Sequence, residues 1–541
     1  MALALIDSKS SSIPANLIPL IGENYDLKLT QSIQNLLVEI HKENPKFSHF
    51  IQVFYDLMQA QVDPPLESIW VYAALTFRSR NHPKEDPLNR ISAAKDLFQL
   101  VSACSASVSS LKSIALLAPV VYEVYNVVVD LFKRDLSLKA EKKVMKAVQN
   151  LVGVVLGYAN VCSCKDLGEN DGSTGSSLIT PFADLIRVWM NSNEGSEFFL
   201  PLVSSDVFRG LSEREGDVGY LAGVVIAEVF LLKLCLNFKL GTSTKELEME
   251  LRTWAIASIT GFQNFNLFEV LVRMLLEKTL PVTSLLSSED EVLLRQVLYD
   301  AIILVEYSFL NPERVIHLPA EHMKSIAMKR LIVTHEAVEY FREHGDQRRA
   351  ISYVTAFSSS QLSSQIIKWV KNQIPEEDSA IRSKGTSPKA LIKWLLNLED
   401  HGLRVFDDSM ENFRTKLVHE MSKSDSEKPA SKLDSKKVDD DLLFYIDNNV
   451  DKEHADEENE KVNESMSAAL VAAAHTMTSS EKRGRKRKEG KTPEKKEKIK
   501  FVKYDLRCNS DSAGGRSSFI NNDSLNSGSE VENPLSDEDT E

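Results

Sequence analysis

The chain of 541 residues contains little glycine and little proline. Its 21 glycines and 18 prolines make up about 7% of the chain, compared with an average usage of roughly 12%. A sheet-rich fold needs many turns, and glycine and proline supply many of the residues that turns require. In a chain of which 43% is hydrophobic, their scarcity therefore favours helices over sheets.

Cysteine is also scarce, and its pattern argues against a disulfide framework. The count of five is odd and the residues are scattered, which indicates a reducing compartment. Cys162 and Cys164 form a C-x-C pair, but no second pair follows at zinc spacing. We interpret them as two semi-buried thiols at a helix end rather than as a metal site. The cysteines are Cys104, Cys162, Cys164, Cys235 and Cys508.

Long uncharged apolar runs are missing as well. Residues 1–20 lack the basic region, apolar run and cleavage site of a secretory signal. The two most apolar stretches, Val218–Leu232 and Ile114–Phe132, each contain an acidic residue, Glu228 in the first and Glu123 in the second. A membrane helix needs roughly twenty residues with few charges, so we predict no membrane contact and two helices buried among others.

Sequence motifs of catalysis are absent. The glycine-rich stretch 172–177 lacks the lysine of a nucleotide-binding loop, and no G-x-S-x-G elbow occurs. His335 and Glu336 begin like a zinc-protease helix, but the residue at 339 is Glu rather than the second histidine. We therefore predict no enzyme activity, no cofactor, no metal and no small-molecule substrate. A helical enzyme with a site assembled from distant residues is the weakest of three hypotheses.

Residues 13–420 carry a repeated helical signal, after a flexible N-terminus at 1–12. Apolar residues recur at i, i+3, i+4 and i+7 spacing, for example from Phe47 to Met58. We predict, among others, single helices at 108–133 and 138–161. The polar loop 165–178 is the longest interruption and a candidate seam between two helical lobes.

Two joints between predicted helices have recognisable caps. In His344-Gly345-Asp346, the glycine suits the left-handed position that ends a helix, and the aspartate suits the N-cap of the next. Ser387-Pro388 combines an N-cap serine with a proline in the first turn.

Proline also opens predicted helices in Leu117-Ala118-Pro119-Val120-Val121 and Ile179-Thr180-Pro181-Phe182. In these segments, and in its succession of helices, the chain loosely resembles armadillo and HEAT repeat proteins. That resemblance implies an all-α fold of stacked helical hairpins, an α-solenoid, and carries no residue-level function. A compact multi-helix bundle is the alternative arrangement.

Residues 421–541 are predicted to be a disordered, charged tail, because they hold too little apolar surface to offset the entropy of ordering. The net charge of −14 is unevenly distributed: residues 439–464 hold eleven acids and two lysines, and residues 482–500 hold eleven bases and three acids. A short helix is predicted at 465–478, and the C-terminus is acidic.

The basic cassette at 482–500 is the most specific feature of the tail. A dense run of Lys and Arg on an accessible segment is typical of a nuclear localisation signal, and it also attracts nucleic-acid phosphates. We predict a location in the nucleus, with the nucleolus included, and an import adaptor as a partner. The residues in question are Lys482, Arg483, Arg485, Lys486, Arg487, Lys488, Lys495, Lys496 and Lys498.

Within the cassette, Arg483-Gly484-Arg485 resembles the core of an AT-hook. In that family, the glycine lets the backbone approach the minor groove, and the arginines extend along it. Here Lys486 replaces the proline that normally follows, which lowers the implication of specific DNA binding. Weak direct binding of DNA or RNA by the tail is the second hypothesis.

The tail also carries candidate phosphorylation and docking sites. Thr492 precedes a proline, and Ser529 and Ser536 precede acidic residues, so they resemble sites of proline-directed and acid-directed kinases. Phosphate on Thr492 would weaken the attraction of the cassette for anions. An apolar island flanked by acids is the candidate docking peptide, either onto the helical body or onto a partner. It consists of Leu442, Leu443, Phe444, Tyr445 and Ile446.

Taken together, these patterns predict a nuclear, non-enzymatic scaffold. Its helical body would present a surface to other proteins, and its tail would direct import. Assemblies of chromatin, DNA repair or ribosome biogenesis are the settings that this chemistry suits.

Overall fold

The computed structural model describes residues 23–42, 45–80, 86–134, 138–165, 177–190, 198–214, 216–241, 245–311, 320–372, 387–407 and 410–426. Over these ranges the named elements are all helices, and the only β-type pairing is an isolated bridge between Ser177 and Asp217. The predicted all-α class is therefore confirmed. The N-terminus 1–12 and most of the tail lie outside the described residues.

Most consecutive helices are joined by short connections. A short 3-10 helix lies at Ser308–Leu310, between α13 and α14. The α-helices are α1 Glu23–Ile40, α2 Ser48–Gln59, α3 Leu66–Arg80, α4 Pro87–Cys104, α5 Ser110–Ala115, α6 Ala118–Phe132, α7 Lys139–Lys165, α8 Phe182–Trp189, α9 Ser205–Glu213, α10 Val218–Leu240, α11 Lys245–Phe262, α12 Phe265–Leu275, α13 Ser288–Ile303, α14 Ala320–Glu343, α15 Gln347–Ser359, α16 Leu362–Lys371, α17 Pro388–Asp400 and α18 Glu411–Ser426. The connections are longer in four places, because 15 or 16 residues separate α7 from α8, α8 from α9, α13 from α14 and α16 from α17.

The single helix predicted at 108–133 is wrong, because two helices, α5 and α6, occupy that stretch. Ser109 caps the first by accepting a hydrogen bond from the backbone N–H of Lys112. Pro119 lies in the first turn of the second. Proline has no N–H to donate, and in a continuous helix its ring would clash with the carbonyl of Ala115, so the helix stops and starts again.

The two predicted caps are confirmed. Gly345 follows α14 with a φ of 77°, in the left-handed region that glycine tolerates best. Asp346 then accepts a hydrogen bond from Arg349 N at 3.1 Å and opens α15. Ser387 accepts one from Ala390 N at 3.2 Å, with Pro388 as the first residue of α17.

Helix α10 lies at the centre of the packing. It contacts α5, α6, α7, α9, α11 and α12, while α14 is the corresponding hub for the later helices α12 to α17. Nearly every residue of α10 is buried. One continuous hydrophobic core runs from Tyr25 in α1 to Leu417 in α18, and it includes helices on both sides of the predicted seam at 165–178.

Burial explains the most apolar sequences. By length and composition alone, three described stretches qualify as membrane spans: Ser110–Phe132, Lys139–Ser163 and Val218–Leu240. The expectation that charges disqualify such runs is therefore wrong by this measure. Within the protein, 72%, 44% and 89% of these windows, respectively, are buried, so the first and third owe their apolarity to the core. The second, in α7, does not.

Buried glutamates tie loops to the helices that they cross. Glu228, fully buried in the middle of α10, accepts hydrogen bonds from the backbone N–H groups of Leu202 and Val203 at 2.9 and 3.0 Å. These two residues precede α9, where no intrahelical carbonyl is available to them. The carboxylate thus satisfies donors that the fold would otherwise bury unpaired.

The same device recurs elsewhere in the fold. Glu67 of α3 accepts from the backbone of Ile179 and Thr180 at 2.6 and 3.1 Å, just before α8. Glu291 of α13 and Glu399 of α17 likewise accept from loop backbone donors. Each bond fixes a connection that lies beside another helix.

At helix C-termini, buried arginines donate hydrogen bonds to backbone carbonyl oxygens. Arg330 of α14 donates to the carbonyl oxygens of Ile302 and Val305 at 3.1 and 3.0 Å, where α13 ends. Arg295 of α13 donates to the carbonyl oxygen of Glu277 at 2.9 Å, just beyond α12. The last carbonyls of a helix lack intrahelical partners, so each arginine joins one helix end to its neighbour.

Burial raises the pKa of Glu228 to about 8, although the N–H groups of Leu202 and Val203 oppose the rise. Its ordinary pKa is 4.5, so between these values the folded state binds more protons than the unfolded state. We expect stability to fall as pH rises from 5 to 8, by on the order of a few kcal/mol. The Glu228→Gln variant should lose the contribution of Glu228 to this dependence, while Glu123, whose pKa desolvation raises to about 7, retains its own. The exposed-site control Glu250→Gln should keep the whole dependence.

Urea denaturation at several pH values measures this effect. A second variant, Glu228→Ala, leaves two buried donors unpaired and should lose on the order of 3 kcal/mol of stability at pH 6. A Glu228→Gln protein with the full pH dependence of the native protein would contradict the assignment to this carboxyl group.

Candidate interaction surface

The site residues predicted in the tail all lie outside the described residues. This applies to the basic residues of 482–500, to Thr492, Ser529 and Ser536, and to the docking peptide 442–446. Their predicted roles stay predictions. A functional site within the described part therefore has to be sought on the helical body.

A cleft of about 490 Å³ opens where α13, α14, α17 and α18 meet. Its lining is rich in both signs of charge, but many of these charges are already paired. Arg295 binds Glu291 at 3.2 Å within α13, and Lys416 of α18 binds Glu336 of α14 at 2.5 Å. The ion pairs hold the wall of the cleft together and leave it with no dominant charge for a ligand.

His335, singled out by its His-Glu sequence, lies against this cleft and is buried. Desolvation lowers the pKa of its imidazole to about 4, so the ring is neutral near pH 7. Glu339 stands one turn further along α14, where a zinc site would need the second histidine. Within the described residues, no group of His, Cys, Asp and Glu side chains is arranged to hold a metal ion.

A second cluster of charges is buried between α9, α12 and α14. Glu269 of α12 receives Arg214 at 2.5 Å, Arg273 at 3.2 Å and Lys329 at 3.9 Å. Burial alone would raise the pKa of Glu269, but these cations outweigh burial and hold the pKa below its ordinary value. Arg214 also lies 4.2 Å above the ring of Tyr220. The cluster joins three helices, which is a structural role.

The outward face of α7 is unusual in a chain of which 26% is charged. From Ala147 to Cys164 the helix has no charged residue, yet one face is open to solvent. Val154 is 52% exposed and Val161 is 59% exposed. A Cβ atom placed on Gly153 or on Gly157 would meet nothing within 4 Å. This face therefore combines exposed valines with accessible backbone.

The parts of α4 and α11 that flank this face are also uncharged, whereas the exposed charges of the two helices, such as Lys95 in α4 and Glu250 in α11, lie earlier along each helix. The ring of Phe98 in α4 packs on Tyr158 of α7 with centroids 5.6 Å apart. On the other side, Gly261 of α11 lies against Asn160, so closely that a Cβ there would be 3.1 Å from its Oδ1. Residues 97–111 and 253–268 contain no charge.

We call the exposed, uncharged residues in these parts of the three helices the neutral surface. They are Ala103, Ala106 and Ser107 on α4 and the segment after it, Asn150, Gly153, Val154, Gly157 and Val161 on α7, and Thr253, Ala257 and Thr260 on α11.

Sequence reasoning identified the helix of this surface but not its open face. Periodicity assigns Val154 to the same class as the buried Val152 and Val155, because all three are apolar and adjacent. The available signal was the charge-free run between Lys146 and Lys165. A solvent-facing helix normally carries charge on its outer side, so such a run indicates either burial or a surface for a partner.

Comparisons with known proteins give no information on the role of this surface. No protein-family model, no curated protein and no solved structure matches the chain.

The open face of α7 predicts how its glycines respond to substitution. Gly157→Ala should raise the free energy of unfolding by about 1 kcal/mol, because alanine is the better helix former and its methyl group meets no atom. Gly223→Ala in α10 should lower it by about 2 kcal/mol, since the new Cβ would lie 2.5 Å from the Cβ of Asn266. Denaturation of both variants measures the contrast. A destabilising Gly157→Ala would mean that another helix of the body packs against α7 at this position and leaves no room for the methyl group.

Proposed function

We propose that the protein is a nuclear, non-enzymatic scaffold or adaptor whose helical body binds a protein partner. The observation that carries the proposal is the neutral surface on α4, α7 and α11. Scaffolds act by holding partners, and they need an exposed region whose burial is favourable.

The composition of the neutral surface favours a protein as its ligand. The centres of protein interfaces are depleted of charged residues, and the valines of α7 gain free energy when a partner removes them from water. Gly153 and Gly157 let a partner approach the helix backbone closely. The residues of the neutral surface themselves offer no Lys or Arg to neutralise phosphates, and the exposed lysines on this face of α7 are confined to its first two turns, at Lys139–Lys146.

The order in which the helices pack supports a stacked arrangement as part of this proposal. Most packed pairs are close neighbours along the chain, such as α2 with α3, α11 with α13 and α14 with α15. In armadillo-like and HEAT-like solenoids, each hairpin covers its neighbour and the stack leaves faces open for partners. A nuclear setting in chromatin, DNA repair or ribosome biogenesis rests on the basic cassette 482–500.

Substitutions on the neutral surface test the proposal. In the full chain, Val154→Asp together with Val161→Asp should reduce recovery of a stoichiometric nuclear partner at least tenfold, since two charges would be buried unpaired at the interface. Val38→Asp with Ile351→Asp is the matched control, because both residues are exposed hydrophobics on other helices. Affinity capture with quantitative mass spectrometry provides the measurement. Equal recovery with both double variants would contradict the role of this surface.

Localisation has a separate test. A fluorescent fusion of the intact chain should be nuclear, and deletion of 482–500 should leave it in the cytoplasm, because a protein of 60.7 kDa does not readily equilibrate by passive diffusion. Deletion of 508–526, a segment of equal length with one arginine, is the control. Persistent nuclear fluorescence without 482–500 would refute the predicted signal.

A further inference from the structure

The outward face of α7 has two halves of different chemistry. In its first two turns, Lys139, Lys142, Lys143 and Lys146 are all exposed. At 100° per residue these lysines fall on the same arc, about 120° wide, as the residues from Asn150 to Val161. One face of α7 is therefore basic in its first two turns, and the rest of that face belongs to the neutral surface.

One segment of the same chain complements this face in the same order, with acidic residues first and apolar residues after them. Residues 439–441 are three aspartates, and residues 442–446 are the five apolar residues Leu-Leu-Phe-Tyr-Ile. From residue 439 to residue 446 an extended segment spans about 23 Å at 3.3 Å per residue. The face from Lys142 to Val161 spans about 28 Å at 1.5 Å per residue. The segment therefore extends over most of the face.

We propose that residues 439–446 bind along the outward face of α7. The aspartates lie on the lysines at the start of the helix, where the positive end of the helix dipole also favours acids. The apolar residues then cover Gly153, Val154, Gly157 and Val161. An antiparallel segment would bring Asp447 to the lysines instead of the three aspartates, so the charge favours a segment that runs parallel to the helix.

The length of chain between the last described helix and this segment is sufficient. Helix α18 ends at Ser426, and the twelve residues 427–438 before the docked segment span up to about 43 Å when extended. Lys416 of α18 bonds Glu336 of α14, and α14, α13, α11 and α7 pack in succession. Four spacings of 8–10 Å between packed helices add up to about 40 Å.

Charge complementarity favours this occupant over a second copy of the body. Two copies of the α7 face would bring lysines near lysines, whereas 439–441 brings three carboxylates to them. The contact itself does not require a partner protein. Its consequence rests on the proposed function: the segment would cover the neutral surface, and a partner would have to displace it.

Photochemical crosslinking in the full chain tests the contact. A photoreactive phenylalanine analogue in place of Phe444 should crosslink to the tryptic peptide 147–165 of the same molecule. In a mixture of light and heavy isotope-labelled protein, crosslinks should join only segments of equal label. Crosslinks that map elsewhere, no crosslink to α7, or crosslinks of which about half join unlike labels in an equal mixture would each overturn the proposal; the last outcome would indicate a second copy instead.

Charge reversal provides an independent arm. Lys142→Glu with Lys143→Glu should lower the crosslink yield at least fivefold, and conversion of Asp439, Asp440 and Asp441 to Lys in the same chain should restore it. The control reverses Lys368 and Lys371, which are exposed on α16, and should leave the yield unchanged. A yield insensitive to Lys142→Glu with Lys143→Glu would contradict the parallel, charge-matched placement.

Partner capture separates this inference from the proposed function. With Leu443→Ser and Phe444→Ser, a displaced segment should leave the neutral surface free and raise partner recovery. If the crosslink to α7 is absent while recovery still depends on Val154 and Val161, only the docking of 439–446 fails. If the crosslink forms and no partner is recovered by either protein, the scaffold function fails and the docking stands.

Discussion

The fold depends on buried polar side chains that bind backbone groups at the ends of helices. A fold of many helices has many ends, and each end leaves N–H or carbonyl groups without intrahelical partners. Some of those ends lie beside another helix, where water does not reach them. Glu228 and Glu67 accept from N–H groups before α9 and α8, while Arg330 donates to carbonyls at the end of α13. These bonds allow helix ends and the segments between helices to lie against buried apolar helices.

The sequence predicts the helical class and several local details, because those details are local. Gly345 ends a helix and Ser387 begins one through contacts within a few residues, so the interacting residues are close together in the sequence. Pro119 is an equally local signal for the break between α5 and α6, and the single helix predicted at 108–133 does not take it into account. The role of Glu67 was not accessible, since its partner Thr180 is 113 residues away and is placed there only by the packed fold.

Exposure was the other quantity beyond the reach of the sequence. Helices α10 and α7 both contain an apolar stretch long enough to cross a membrane, although α7 also begins with several lysines. Helix α10 is enclosed by six neighbours, whereas α7 has neighbours on one side and solvent on the other. Only tertiary contacts distinguish a core helix from one with an unfilled face, and a charge-free run is compatible with both. The neutral surface therefore emerged from the structure, while the segment proposed to cover it was recognised in the sequence.

Two glycines in the middle of α7 give that helix a property that its neighbours lack. Each glycine weakens a helix by about 1 kcal/mol relative to alanine, because the unfolded backbone has more freedom to lose. Gly153 and Gly157 are one turn apart and bare on the outer side. This turn has a low helix propensity and its outer side faces water. We therefore expect its amide protons to exchange through brief local openings rather than through global unfolding. Whatever covers the turn slows those openings, so the occupied and free states of the protein differ in motion even where their shapes are the same.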